Sequence, residues 1–282
     1  MSPTQIHQFS FACNTGDGVT NSLFYIRKLL RSLGFISNIY SETIPEDLRD
    51  EVLDFSQLPV GDDVLLFSHH CLGYDNWQWL LALPIRKVMV YHNITPTELL
   101  PAEGDIRRWA DLGREQLRDW APHFLGAIGV SQLNTLELHA NKYVNVATIP
   151  MLVDFEKLTQ IQPDVEGLTD LRESYNLLFV GRICENKKQL ELIDLIYHLK
   201  NKSPTPVRLI LVGAVTSGHY KALIDQKVIA LGLQNQVLFT GKVSDEKLIG
   251  LYRSADVFVC LSAHEGFGMP LIEAMRYKLP VV

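Results

Sequence analysis

Short runs of β-forming residues alternate with amphipathic stretches along almost the whole chain. That alternation leaves few folds open, chiefly parallel sheets covered by helices. The first half predicts strands at Ile6–Ala12, Ile36–Tyr40, Val64–Ser68, Lys87–Tyr91, Ala127–Val130 and Val146–Ile149. Between them it predicts helices at Thr20–Leu33, Glu46–Phe55, Asn76–Leu83, Asp105–Trp120 and Gln132–Asn141. The pattern becomes irregular from Pro150 to Tyr175, where Pro163, Gly167 and several acids mark an interdomain connection. It then restarts with strands at Leu177–Val180, Arg208–Val212, Val237–Thr240 and Val257–Leu261, and helices at Lys188–Leu199, Tyr220–Leu231, Asp245–Ser254 and Leu271–Tyr277. A chain of 282 residues is too long for one simple core and fits two Rossmann-like domains, 1–165 and 166–282. Leu279–Val282 reads as the opening of another buried strand, so the second domain is expected to be incomplete at its C-terminus.

Composition narrows the function classes. With 26 basic against 32 acidic residues the net charge is −6, so no basic field argues for nucleic acid. Cys13, Cys71, Cys184 and Cys260 are scattered, which fits reduced cytosolic thiols rather than a disulfide frame or a zinc site. No apolar run approaches the length of a membrane span, and the start lacks the pattern of a secretion signal. Trp77, Trp79, Trp109 and Trp120 fall in predicted amphipathic helices and are expected to be packing anchors.

The stretch from Cys260 to Met275 reads as strand, glycine-bearing loop and helix opening. Gly266 and Gly268 permit a tight backbone, and Pro270 suits the first helical position. Amides at such a helix start attract phosphate through unsatisfied donors and the helix dipole. Glu265, in the loop, and Glu273, expected in the first helical turn, can only accept hydrogen bonds, which suits sugar hydroxyls and not phosphates; the plainer alternative is a turn with surface acids. Arg182 follows a strand and Lys187 stands at a helix start, a pair of cations that could neutralise a diphosphate or simply form a solvated turn. Gly16-Asp17-Gly18 lies between a strand and a helix, where the backbone can approach a ligand. His92 and Asn93 close one strand, and His69 and His70 close another; each histidine could equally be a hydrogen-bonded structural residue. Asp62-Asp63, after Gly61, reads as a turn and not as a metal pair.

Arg182…Lys187 followed by Glu265-Gly266-Phe267-Gly268-Met269-Pro270-Leu271-Ile272-Glu273-Ala274-Met275 resembles the signature of the retaining glycosyltransferases of family 4, which have the GT-B fold of two facing Rossmann-like domains. Gly16-Asp17-Gly18, Tyr91-His92-Asn93 and Val130-Ser131 are similar to the family's N-terminal landmarks. The resemblance spans nearly the whole chain. Gly-Asp-Gly departs from the family's paired glycines, and Lys188 replaces the glycine that often follows the lysine, a change expected to matter little on an exposed helix.

The resemblance implies transfer of a hexose from a UDP- or GDP-sugar to a glycan or lipid-linked acceptor, in surface polysaccharide synthesis, without a metal or other cofactor. It further implies a cytoplasmic location and peripheral membrane contact. On it, Arg182 and Lys187 would hold the diphosphate, the amides from Phe267 through Gly268 and Met269 to Pro270 would hold phosphate and sugar, and Glu273 would bind the ribose. Glu265 would contact the hexose, Gly16 and Gly18 would admit the donor, and His92 would contact the transferring sugar. Two other readings stay open. Gly16, Gly18 and Glu42 partly imitate the fingerprint of an NAD-dependent oxidoreductase, and the abrupt C-terminus suggests a non-catalytic nucleotide-sugar-binding remnant.

Overall fold

The computed structural model describes residues 3–102, 104–153, 160–167 and 173–282. The chain divides into two compact units: Met1–Thr97 with Glu103–Val153, and Glu98–Ala102 with Asp154–Val282. Part of the connection expected between Pro150 and Tyr175 lies outside the described residues.

The first unit holds a seven-stranded parallel sheet of β1 (Gln5–Ala12), β2 (Ile39–Thr43), β3 (Leu53–Asp54), β4 (Val64–His70), β5 (Arg86–Tyr91), β6 (Gly126–Gly129) and β7 (Val146–Thr148). Its order is β3-β2-β1-β4-β5-β6-β7. The helices are α1 (Gly18–Ser32), α2 (Gln78–Ala82), α3 (Ile106–Trp120) and α4 (Gln132–Ala140). A central parallel strand is buried on both faces, so any polar residue on it must find a partner inside. On β1, Gln8 donates from Nε2 to the Leu23 carbonyl at 2.9 Å, and His7 Nδ1 accepts the Asn38 amide at 3.1 Å.

Three expectations fail here. Glu46–Phe55 is not a helix but a single 3-10 turn, Glu46–Leu48, followed by β3 and a second turn at Phe55–Gln57. The apolar spacing does suit a helix, yet pairing of Tyr40 with Leu53 on the open edge of β2 prevails, and Asp54 caps the next turn through the Ser56 amide at 2.9 Å. Strand β2 also starts three residues later than expected, Ile36 making only an isolated bridge to Gln5. Helix α2 is shorter than expected because Asn76 adopts a left-handed backbone, φ 57°, which no helix can include. Of the tryptophans, Trp120 is wholly buried and Trp79 packs edge-on against Phe9 at 5.0 Å, as packing anchors do.

The second unit has a four-stranded parallel sheet of β8 (Tyr175–Val180), β9 (Val207–Val212), β10 (Val237–Gly241) and β11 (Val257–Phe258), in the order β10-β9-β8-β11. Helices of this unit that lie wholly within the described residues include α5 (Gln189–Lys200), α6 (Gly218–Ala230), α7 (Asp245–Ser254) and α8 (Met269–Arg276). Alternate residues of β8, β9 and β11 feed opposite cores. Leu177, Phe179, Leu209 and Leu211 meet Ile193, Ile196 and Ile224 of α5 and α6. Leu178, Ile210 and Val212 meet Leu251, Tyr252 and Ala274 of α7 and α8. Burial of an apolar side chain on each face contributes roughly 1.5–3 kcal/mol, which is why these strands read as unbroken apolar runs. The strand expected to run to Leu261 is assigned only as Val257–Phe258, although Val259 and Cys260 still donate to the Leu178 and Val282 carbonyls at 2.9 and 2.8 Å. Leu279–Val282 lies along β11, bridging Phe258 to Val281 in parallel.

Both sheets contain the same local order, with the chain stepping outward twice from a first strand and then returning to its other side. The reversal falls between β1 and β4 in one unit and between β8 and β11 in the other. In open α/β sheets that switch point opens a crevice at the carboxyl ends of the strands.

Candidate functional site

In the second unit the crevice at the switch point is bounded by the loop after β8, carrying Arg182 and Lys187, and the loop after β11, carrying Glu265. Two bonds tie the loops together. The Ala263 amide donates to the Asn186 carbonyl at 2.8 Å, and Lys187 Nζ meets Glu265 Oε1 at 2.5 Å. That pair is sheltered, with side-chain exposures of 12% and 30%, so water screens it less than a surface pair. Arg182 is exposed, but its carbonyl is fixed by Nε2 of fully buried Gln189 at 2.8 Å. Beneath the loop Gly213, φ 142°, lies so close to Gly181 that a Cβ there would stand 2.1 Å from the Gly181 carbonyl oxygen. Only glycine fits, and this is what lets β8 and β9 end side by side under the cations.

The second loop ends at Gly268, which caps α8 in a left-handed conformation, φ 82°; a Cβ there would meet Leu271 Cδ1 at 2.9 Å. The helix therefore starts at Met269, two residues earlier than expected. Pro270 is its second residue, not its first, and Glu273 lies in the second turn. Phe267, Met269 and Pro270 are half-buried around this helix start. Tyr252 of α7 donates from its hydroxyl to Glu273 Oε2 at 2.8 Å. Burial raises the Glu273 carboxyl above the ordinary glutamate range, the Tyr252 hydroxyl acts to lower it, and Asp245 adds to the rise.

Lys188 corrects an expectation. It is not on an exposed helix but caps α5 in the left-handed region, φ 57°, where a side chain is strained and a glycine is not. Its ion pair to Glu191 at 3.4 Å is half-exposed and contributes little. Lys188→Gly is therefore expected to raise stability by about 1 kcal/mol. Urea unfolding followed by circular dichroism checks this; a lower midpoint would show that the Glu191 pair outweighs the strain.

In the first unit, Gly16 (φ 79°), Gly18, His69, His70 and His92 all leave from the carboxyl edge of adjacent strands β1, β4 and β5. Asp17, between the glycines, caps α1 by accepting from the Val19 and Thr20 amides at 3.1 and 3.2 Å, so this turn is built chiefly to start a helix. His92 is buried, its Nε2 lying 2.7 Å from Nδ1 of His69. Asn93, φ 76°, donates to Asn134 Oδ1 at 2.7 Å, and Asn134 returns a bond to the Tyr91 carbonyl at 3.1 Å, so α4 fixes the turn that presents His92. Glu42 lies within β2, its carboxyl raised by burial and by Asp54. Asp62-Asp63 forms the expected turn, with Asp63 bonded to Thr4 and Gln5. Among the described residues no three His, Cys, Asp or Glu side chains gather as metal ligands, and no helix is long and apolar enough to cross a membrane.

Gln189, Gly213 and Tyr252 escape a reading by motif. Gly213, directly after an apolar run, is the one that leaves a sequence signal.

Residues 169–282 match the family model of the group 1 glycosyl transferases. Mannosylfructose-phosphate synthase of Agrobacterium fabrum is 37% identical over 110 residues, which is 38% of this chain and 24% of that protein. The GDP-mannose:cellobiosyl-diphosphopolyprenol alpha-mannosyltransferase of Xanthomonas campestris is 34% identical over 103 residues, 36% of this chain and 27% of that protein. The matched stretch thus spans about a quarter of either relative. The structure of Anabaena HepE in complex with UDP and glucose is 19% identical, with a TM-score of 0.72 over 99% of this chain and 80% of that one. The chain accordingly has the GT-B fold class, with two Rossmann-like units.

Proposed function

We propose that this chain is a retaining glycosyltransferase that takes a hexose from a nucleoside-diphosphate sugar to a glycan or lipid-linked acceptor, in surface polysaccharide or glycolipid synthesis at the cytoplasmic face. The observation that carries it is the convergence, inside the family-matched residues, of the Arg182–Lys187 loop and the Glu265–Glu273 segment at one switch point. Departure of a nucleoside diphosphate builds negative charge on its phosphates. Arg182, Lys187 and the amides at the start of α8 supply fixed positive counterparts, the arrangement that lowers such a barrier without reorganisation. Glu273, an acceptor held by Tyr252, suits the ribose diol. Glu265, already an acceptor beside Lys187, suits the hexose hydroxyls. His92 is assigned to the transferring sugar and Gly16 and Gly18 to its admission, and no metal is required.

The two mannosyl-transferring relatives favour a mannose donor, and a GDP-sugar is the first to try. Thermal unfolding with UDP, GDP, ADP and NAD tests the reading. One nucleoside diphosphate is expected to stabilise the chain by about 2.7 kcal/mol at a hundredfold its Kd, and Arg182→Ala to weaken that binding. Stabilisation by NAD and by no nucleoside diphosphate would overturn it.

A further inference from the structure

The Glu273 carboxylate accepts at Oε2 from a phenol carried by another helix. Tyr252 is 2% exposed, its ring stacked against Tyr277 at 5.6 Å and Phe258 at 6.3 Å, so the hydroxyl has almost no freedom to turn elsewhere. Its one proton has two acceptors within reach, Glu273 Oε2 at 2.8 Å and the Pro270 carbonyl at 3.4 Å, and the shorter, charge-assisted bond prevails. A glutamate on an α-helix has three rotatable side-chain bonds, and one oxygen tethered to a rigid phenol selects among their conformers before any ligand arrives.

We infer that Tyr252 is the positioning residue for Glu273, and that the pair makes the nucleotide site selective for an intact ribose over a deoxyribose. The inference rests on the proposed nucleotide-sugar reading and adds to it a residue that need not touch the ligand. A carboxylate binds a vicinal diol through charged hydrogen bonds, and these are lost if the group turns away or takes up a proton. Burial and Asp245 both favour the protonated form of Glu273; the Tyr252 hydroxyl favours the ionised one. Without that hydroxyl the acceptor would be both less fixed and less often ionised, while the phosphates, held by Lys187 and the helix start, would lose nothing.

The test compares binding of the preferred nucleoside diphosphate with that of its 2′,3′-dideoxy analogue, by calorimetry at pH 7 and pH 5.5. Proteins are the wild type, Tyr252→Phe, Glu273→Ala and the double variant. Tyr252→Phe keeps the stacked ring and is expected to lower ribonucleotide affinity about tenfold, more at pH 5.5, while the dideoxy analogue binds as to wild type. In the Glu273→Ala background the same substitution should change nothing further. Equal loss for both nucleotides, or no loss for either, overturns the role of Tyr252 while a ribose effect of Glu273→Ala keeps the parent reading intact. If Glu273→Ala binds both nucleotides as the wild type does, the ribose assignment itself fails and the inference with it.

Discussion

Lys187→Ala is expected to lower donor turnover by about 10² to 10³, the largest effect of any single substitution in the second unit. Two losses combine in it. On the proposed function the sheltered ammonium that would face the leaving diphosphate disappears, and Glu265, until then paired at 2.5 Å, would be left as an uncompensated anion near the same phosphates. A cycle with Glu265→Ala separates them. The double variant should bind free nucleoside diphosphate more tightly than Lys187→Ala alone, because the repulsive carboxylate has gone, while its turnover stays low. Arg182→Ala, whose side chain is exposed, should cost on the order of 10². Donor consumption gives turnover and calorimetry gives affinity. Wild-type turnover in Lys187→Ala would remove the lysine from the mechanism, and additive losses across the cycle would show that Glu265 does not act on the phosphates.

Strand and helix alternation is legible in this chain because parallel strands bury both faces. Leu177-Leu178-Phe179 and Leu209-Ile210-Leu211 are unbroken apolar runs that little else accommodates. Where a segment is half-exposed the signal weakens, and between Glu46 and Phe55 an edge pairing with β2 outweighs a sequence that could turn helically. Arg182, Lys187, Glu265 and Glu273 stand out because loop chemistry at strand ends is written locally. Their supports do not: the phenol behind Glu273 lies on another helix, and the glycine beneath Arg182 follows another strand. Lys188 illustrates the same limit within one turn. Its left-handed backbone follows from how the 3-10 turn Glu185–Lys187 joins α5, which residue type alone does not report.

Acid is expected to unfold the first unit between pH 6.5 and 4, through three histidines at the ends of β4 and β5. His69, His70 and His92 are all buried. His70 bonds from Nε2 to the Gly113 carbonyl at 2.8 Å and packs on Trp120 at 5.1 Å, while His69 and His92 stack at 5.0 Å with a nitrogen of each 2.7 Å apart. One nitrogen of that close pair must donate and the other accept, so two imidazolium rings cannot share the contact. Burial first, and the charge of His70 second, pushes His92 down to about 4; burial first, and His92 second, pushes His69 well below the ordinary range; burial pushes His70 to about 4 against the pull of the Gly113 carbonyl. The folded values therefore lie below the unfolded value near 6.5, so the unfolded chain takes up protons that the folded unit refuses. Stability from this source is complete above pH 6.5 and is lost as pH falls toward 4, on the order of 3 kcal/mol for one ring moved that far and less than threefold that for coupled rings. Glu42, raised by burial, acts in the opposite sense, and Asp54 and Asp63, lowered by their hydrogen bonds, matter only at still lower pH. All four tryptophans belong to the first unit, so their fluorescence follows it alone. His70→Gln should move the acid midpoint to lower pH and make the transition shallower. Tryptophan emission that stays constant from pH 7 to 4 would show that the three rings are protonated in the folded unit without cost.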